Sequence, residues 1–208
     1  MFRLWTVLLV LGGSLTLMGD PPLPLAQEEI AEVSWGGRTF HYLPRYQYPD
    51  PPLAQNYSEP LLFQRNPEEI YLHSVPQPDE FLTRLDKLAF PGEFCGLYFS
   101  IHAPVELELQ EIDAGSLGEG WEVFEVVHLP RIKRAPFYQI IPERLDDFKA
   151  RTIPAGRNCI IYLRQKIPAS LAGANLAGDI KIHCADQKPL TLPVQIRVTP
   201  FALEQPAA

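Results

Sequence analysis

A chain of 208 residues, 46% hydrophobic and with a formal net charge of −7, is long enough for one domain with a full core. The acidic balance excludes a nucleic-acid surface, which needs a clustered basic face; Arg131, Lys133 and Arg134 read as a solvated loop at a strand end. The 22 prolines, about twice the usual share, break helices and confine strands to edges and ends, which excludes a helical bundle.

Met1-Phe2-Arg3 gives a short positive start, and Leu4 to Met18 is an apolar run of about 15 residues. That is the size of a signal-peptide core and short for a membrane span of about 20 residues. Gly19 is small but follows Leu17, and Ala26 follows Pro24, so neither makes a clear cleavage site. Residues 1–26 are therefore read as a signal peptide or an uncleaved N-terminal anchor. The expected location is secreted or periplasmic; the alternative is the outer side of a membrane, reached only through that segment.

Residues 27–90 read as a Pro-rich extension. Val33 to Tyr42 has the pattern of a small hairpin, with Gly36-Gly37 supplying the turn. From Leu43 to Pro60, prolines alternate with Tyr46, Tyr48 and Tyr57, the composition of an extended strap lying over a surface. Asn56-Tyr57-Ser58 matches a glycosylation acceptor. Asp79 to Leu88 fits a short helix capped by Asp79, with Phe81, Leu82, Leu85 and Leu88 on one face; strand and turn is the competing reading.

A β-sandwich is expected over 91–203, with 204–208 as a tail. Cys95, Leu97, Phe99 and Ile101 alternate with Gly96, Tyr98 and Ser100, and Val105, Leu107 and Leu109 alternate with Glu106, Glu108 and Gln110. In a third strand from Trp121 to Ile132, Val123, Glu125 and Val127 share one face and Phe124, Val126 and His128 the other. Phe137 to Ala150 is an excursion, with a single helical turn at Pro142 to Phe148. Further on, Ile180, Ile182 and Cys184 oppose Lys181 and His183, while Leu192, Val194, Ile196 and Val198 oppose Gln195 and Arg197. A period of two means strands with one buried and one wet face, so the fold class is all-β, an antiparallel immunoglobulin-like β-sandwich.

Three cysteines fit an exported protein with at most one bridge. Cys159 and Cys184 lie in consecutive strands at similar distances from the intervening turn and form the candidate disulfide, leaving Cys95. The other reading is three buried free thiols.

Several landmarks recur in a known order. Pro91-Gly92-Glu93-Phe94 enters a strand, and Tyr138-Gln139-Ile140-Ile141-Pro142 precedes a loop. Ile153-Pro154-Ala155-Gly156-Arg157-Asn158 leads into a strand closing on Ile167-Pro168; Gly178 and a terminal Val194–Leu203 strand with Thr199-Pro200-Phe201 follow. Together they resemble the β-sandwich domain that precedes the catalytic barrel in exported glycoside-hydrolase-like proteins, relatives of β-N-acetylgalactosaminidases. Tyr162 stands where that family often has tryptophan, and Ala172-Gly173-Ala174-Asn175-Leu176-Ala177 replaces its proline-glycine turn. The barrel's position falls beyond Ala208, so the resemblance implies no catalytic carboxylate pair within these residues.

No catalytic signature is present: no Gly-x-Ser-x-Gly elbow, phosphate-cradling glycine loop or His-Glu-x-x-His. The acid pairs Glu68-Glu69 and Asp146-Asp147 point to opposite sides of an extended chain, and the histidines His41, His73, His102, His128 and His183 are scattered singly. No enzyme activity, cofactor or metal is expected. The expected function is a non-catalytic exported module that binds a glycan or another envelope protein, with Trp35, Tyr46, Tyr48, Tyr57 and Trp121 as ligand-facing aromatics. The alternatives are a structural or assembly spacer using an exposed sheet edge, or the accessory half of a truncated or split glycoside hydrolase.

Overall fold

The computed structural model describes residues 31–35, 38–44, 57–67, 70, 74–134 and 137–203. Residues 1–26, read above as a signal peptide or anchor, together with Tyr46, Tyr48, Asn56, Glu68, Glu69, His73 and the tail 204–208, lie outside the described residues.

Among the described residues twelve strands form two sheets. They are β1 (Ala31–Trp35), β2 (Arg38–Pro44), β3 (Leu61–Phe63), β4 (Leu85–Ala89), β5 (Phe94–Ala103) and β6 (Leu107–Asp113). The rest are β7 (Glu122–Arg134), β8 (Phe137–Asp147), β9 (Arg151–Ile153), β10 (Arg157–Lys166), β11 (Asn175–Cys184) and β12 (Leu190–Val198). The seven-stranded sheet runs β1-β2-β8-β7-β10-β5-β3, and the five-stranded sheet runs β4-β12-β11-β6-β9. The all-β sandwich expected from the alternation is present. Its ladders are antiparallel apart from two parallel pairings, β2 with β8 and β4 with β12. Strands from ahead of Pro91 take part: β1, β2 and β3 extend the larger sheet and β4 closes one edge of the smaller.

The core lies between the sheets and is built by the predicted inward positions. Leu97, Phe99 and Ile101 of β5 meet Ile161 and Leu163 of β10, and across from them stand Ile180 and Ile182 of β11 with Leu192, Val194 and Ile196 of β12. Each is 3% exposed or less. The hairpin at Val33–Tyr42 forms as expected, with Trp35 in register with Arg38.

Three expectations are overturned. The first is the helix at Asp79–Leu88. A single 3-10 turn, Pro78–Glu80, is followed by β4, which pairs in parallel with β12 from Leu85↔Val194 to Ala89↔Val198. The four apolar residues serve different neighbours. Phe81 packs outside the larger sheet, Leu82 and Leu85 pack on the main core, and Leu88 is exposed. A helix would present them all one way, and the backbone finds its partners in ladders instead.

The second is the helical turn at Pro142–Phe148. That stretch belongs to β8, which pairs with β7 along its whole length. The register slips between Val127 and His128, opposite Pro142 and Arg144, so the proline sits at a bulge where a ladder donor is dispensable.

The third is the Cys159–Cys184 bridge. Cys159 lies on β10 and Cys184 on β11, which belong to opposite sheets and do not pair, and all three cysteines are free and buried. Burial pushes the Cys159 thiol up to about 11, which keeps it protonated and unreactive.

A second, smaller core lies on the outer face of the larger sheet. Phe63 and Ile70 cover Ile160, with Phe81 and Val126 against them, and the edge of Tyr57 meets Phe81 at 5.7 Å. The covering segment is tied down by polar contacts. Asn158 donates from Nδ2 to the Ser74 carbonyl at 2.6 Å and accepts at Oδ1 from His102 Nδ1 at 2.8 Å. His128 Nε2 donates to the Ile70 carbonyl at 2.9 Å. Arg65 and Glu80 pair at 2.6 Å beneath it. This covering segment, the strap, follows the proline-rich stretch Leu43 to Pro60 expected to lie over a surface, of which residues 45–56 lie outside the described residues.

Two predictions follow from this packing. A Cβ at Gly178 would stand 2.7 Å from the Ser116 backbone oxygen, in a loop held to β11 by Ser116 Oγ donating to the Asp179 carbonyl at 2.7 Å. Backbone cannot yield cheaply, so Gly178→Ala is expected to cost about 1–3 kcal/mol in urea unfolding, with an unchanged m-value. Burial holds His102 and His128 below the ordinary histidine value, against their hydrogen bonds. The unfolded chain therefore binds protons more readily, so stability is complete above about pH 6.5 and falls as pH drops below it. Urea midpoints measured from pH 8 to 5 should decline below that value, and His128→Gln should flatten the decline.

Candidate functional site

The strap covers only part of the larger sheet's outer face. Beyond it the outward positions of β5, β10 and β7 are half-buried or exposed, and the registers arrange them in rows. Tyr98 lies opposite Tyr162, which lies opposite Phe124. In the next row Gly96 lies opposite Arg164 and Arg164 opposite Glu122, and Phe94 lies opposite Lys166 beyond. These residues alternate with the buried Cys95, Leu97, Ile161 and Leu163, which fixes their outward direction.

Arg164 is the hub of this face. Its guanidinium carbon lies 5.3 Å from the centre of the Phe94 ring and 5.0 Å from that of Phe124. Its Nε donates to Glu122 at 2.6 Å, and that hydrogen bond secures its positive charge. Phe124 and Tyr162 meet at 6.4 Å with their planes tilted by 40°. Phe94 is the most open of the rings, at 62% exposed.

Gly96 explains how Tyr162 lies. A Cβ there would sit 3.0 Å from two Tyr162 ring carbons and would run into its hydroxyl. The tyrosine therefore reaches sideways across β5, and only a residue without a side chain leaves room for it. The result is a shallow platform of aromatic rings and aliphatic edges, bordered by Arg164, Lys166 and Glu122. Rings of this kind stack on the C–H faces of sugars, and fixed charges at their edges take hydroxyl groups.

Of the aromatics nominated from the sequence, Tyr46 and Tyr48 lie outside the described residues and the other three are placed elsewhere. Tyr57 packs its edge on Phe81. Trp121 packs against the main core, with Nε1 buried and unpaired among the described residues. Trp35 closes β1, at the far edge of the larger sheet. The rings the structure does bring together are Phe94, Tyr98, Phe124 and Tyr162. Their signal in the sequence is an aromatic at a polar phase of the alternation.

Acids meet in one hollow of about 540 Å³, lined by Glu125, Asp146 and Asp147 with Lys149 and Arg151. Each of the first two is already committed. Arg151 pairs with Glu125, and Arg144 clasps both oxygens of Asp146 at 2.7 Å, holding its carboxyl below the usual range. Among the described residues no three His, Cys, Asp or Glu side chains cluster as a metal site.

Neither a family model nor a curated protein matches the chain. Among solved structures it is similar to a family 123 glycoside hydrolase from Clostridium perfringens, studied for glycolipid glycan hydrolysis. The identity is 12% and the TM-score 0.53, over 71% of this chain and 28% of that one. The chain therefore spans a little over a quarter of that hydrolase, and the likeness is one of fold. The sporulation control protein Spo0M from Bacillus subtilis matches more loosely, at 11% identity and a TM-score of 0.33, over 54% of this chain and 45% of that one.

The arrangement of the platform is open to direct test. In Gly96→Ala the obstacle is the end of a partly exposed side chain, so the expected cost is about 1 kcal/mol or less. The Tyr162 ring should nevertheless turn away, read as a changed near-ultraviolet circular dichroism spectrum that Tyr162→Phe alone does not reproduce.

Proposed function

We propose that this domain is a non-catalytic glycan-binding module of an exported protein, with the Phe94–Tyr162–Phe124 platform as its binding face. The observation that carries the reading is the outward-facing group of rings around Arg164, with Gly96 cleared beneath Tyr162. The likeness of fold to part of a glycoside hydrolase supports a carbohydrate setting. The apolar run Leu4 to Met18 supports export.

Two observations favour binding over cleavage. Glycoside hydrolysis needs one carboxylic acid kept protonated near neutral pH beside a second carboxylate. Two of the three acids that share the hollow by β7 and β8, Glu125 and Asp146, are instead paired with arginines, and the Asp146 carboxyl is held below the usual range. A spacer built by strand addition fits less well. The edge strands β3 and β9 have three residues each, and the edge strand β4 carries the exposed Lys87, features that blunt an edge. An accessory half of a hydrolase remains compatible with the platform, since such a half would hold the glycan while another domain cuts it.

Affinity electrophoresis of the intact chain in gels containing neutral polysaccharides tests the proposal. Retardation by at least one glycan is expected, with Tyr162→Ala and Phe124→Ala each weakening it by about 1–3 kcal/mol. Binding untouched by both substitutions would remove the platform from the account. Turnover of a chromogenic glycoside by the purified chain would overturn the non-catalytic assignment.

A further inference from the structure

A second hollow lies on the opposite side of the sandwich, on the outer face of the five-stranded sheet. The parallel pairing of β4 with β12 and the antiparallel pairing of β12 with β11 align outward residues across three strands. Leu88, Arg197 and Asn175 form one row, and Asp86, Gln195 and Ala177 form the next. Ala177 is the short member, which leaves room above the sheet. Two adjoining hollows of about 650 and 610 Å³ share Leu88, Asn175 and Arg197. Either volume is within the range of small-ligand sites.

The charge here runs against the rest of the chain. The whole sequence carries −7, yet Arg84, Lys87 and Arg197 line the larger hollow with Asp86 as its single acid. Asp86 is occupied by Arg84 at 2.8 Å, an open pair with side chains 56% and 58% exposed. Such a pair holds weakly and can yield to a ligand. Arg197 has no ion pair or hydrogen bond among the described residues, and the amides of Asn175 and Gln195 are likewise uncommitted. Leu88, 50% exposed, adds an aliphatic patch to both hollows.

We propose that this hollow is a binding site for a carboxylate-bearing saccharide, a uronic acid unit. A guanidinium takes a carboxylate through two parallel hydrogen bonds, a fit that a point charge does not provide. Asn175 and Gln195 both donate and accept, as sugar hydroxyls require, and Leu88 meets a C–H face of the ring. The site is separate from the aromatic platform, which belongs to the other sheet, so either can fail without the other.

Titration of the intact chain with polygalacturonate, and with the same polymer methyl-esterified, isolates the carboxylate. Binding of the free acid is expected, with a loss of about tenfold or more on esterification and in Arg197→Ala. Arg197→Lys should recover only part of the loss, and added salt should weaken binding. Arg197 is exposed at the surface, so an unchanged melting temperature is expected for both variants. Tyr162→Ala should bind the acid normally; a loss there would reassign the ligand to the platform and overturn the second site. Equal affinity for the esterified polymer, equal affinity for dextran sulfate, or no binding of polygalacturonate would each overturn it as well.

Discussion

The structure depends on the ten-residue ladder between β5 and β10, in register from Arg157↔Ala103 to Lys166↔Phe94. One face of that ladder supplies Leu97, Phe99, Ile101, Ile161 and Leu163 to the space between the sheets. Its other face changes character along its length. At one end Ser100, His102, Asn158 and Ile160 are buried under the covering segment, and at the other Gly96, Tyr98, Tyr162 and Arg164 face outward and are half-buried. Two strands thus serve the main core, a second core and the platform at once. Burial of apolar side chains on both faces, at about 25 cal/mol per Å², makes the covered end the more rigid support for the open one.

Strand identity was legible where one face is wet. The alternations in β11 and β12 were visible because Lys181, Gln195 and Arg197 stay in water while their neighbours are buried. Where both faces are covered the period fades. Cys159, Ile160 and Ile161 are all buried, and such a run does not show which side each residue serves. The proline-rich stretch read as a strap, Leu43 to Pro60, lies mostly outside the described residues, and the segment that does cover the sheet was not legible, because its placement depends on contacts such as Asn158 with Ser74 across distant parts of the chain. The misread helix has the same origin. Spacing alone allowed Phe81, Leu82, Leu85 and Leu88 one face, while the fold distributes them among two cores and the surface.

The platform was harder to foresee than the fold. Tryptophans and the Tyr/Pro stretch draw attention by composition, yet Trp121 is packed against the core and Tyr57 against Phe81. Phe94, Phe124 and Tyr162 look unremarkable in sequence because strands commonly carry aromatics on their buried face. Their outward phase becomes telling only when the registers set three strands side by side and Gly96 falls beneath Tyr162. A glycine in the middle of a strand weakens it, and its presence here is accounted for by the ring that occupies its space.

Charge divides the surface in a way that the net value conceals. In the hollow by β7 and β8, two of the three acids are answered by cations, Asp146 by Arg144 and Glu125 by Arg151. In the hollow over β4 and β12 the cations exceed the acid, and Arg197 is left without a partner among the described residues. An acidic chain repels an acidic polymer at long range, but salt screens that repulsion beyond about 8 Å under physiological conditions. Inside that distance the local arrangement decides, and there an unpaired guanidinium flanked by two amides outweighs charges dispersed over the rest of the molecule. Surface charge of one sign therefore does not prevent selective capture of a ligand of the same sign.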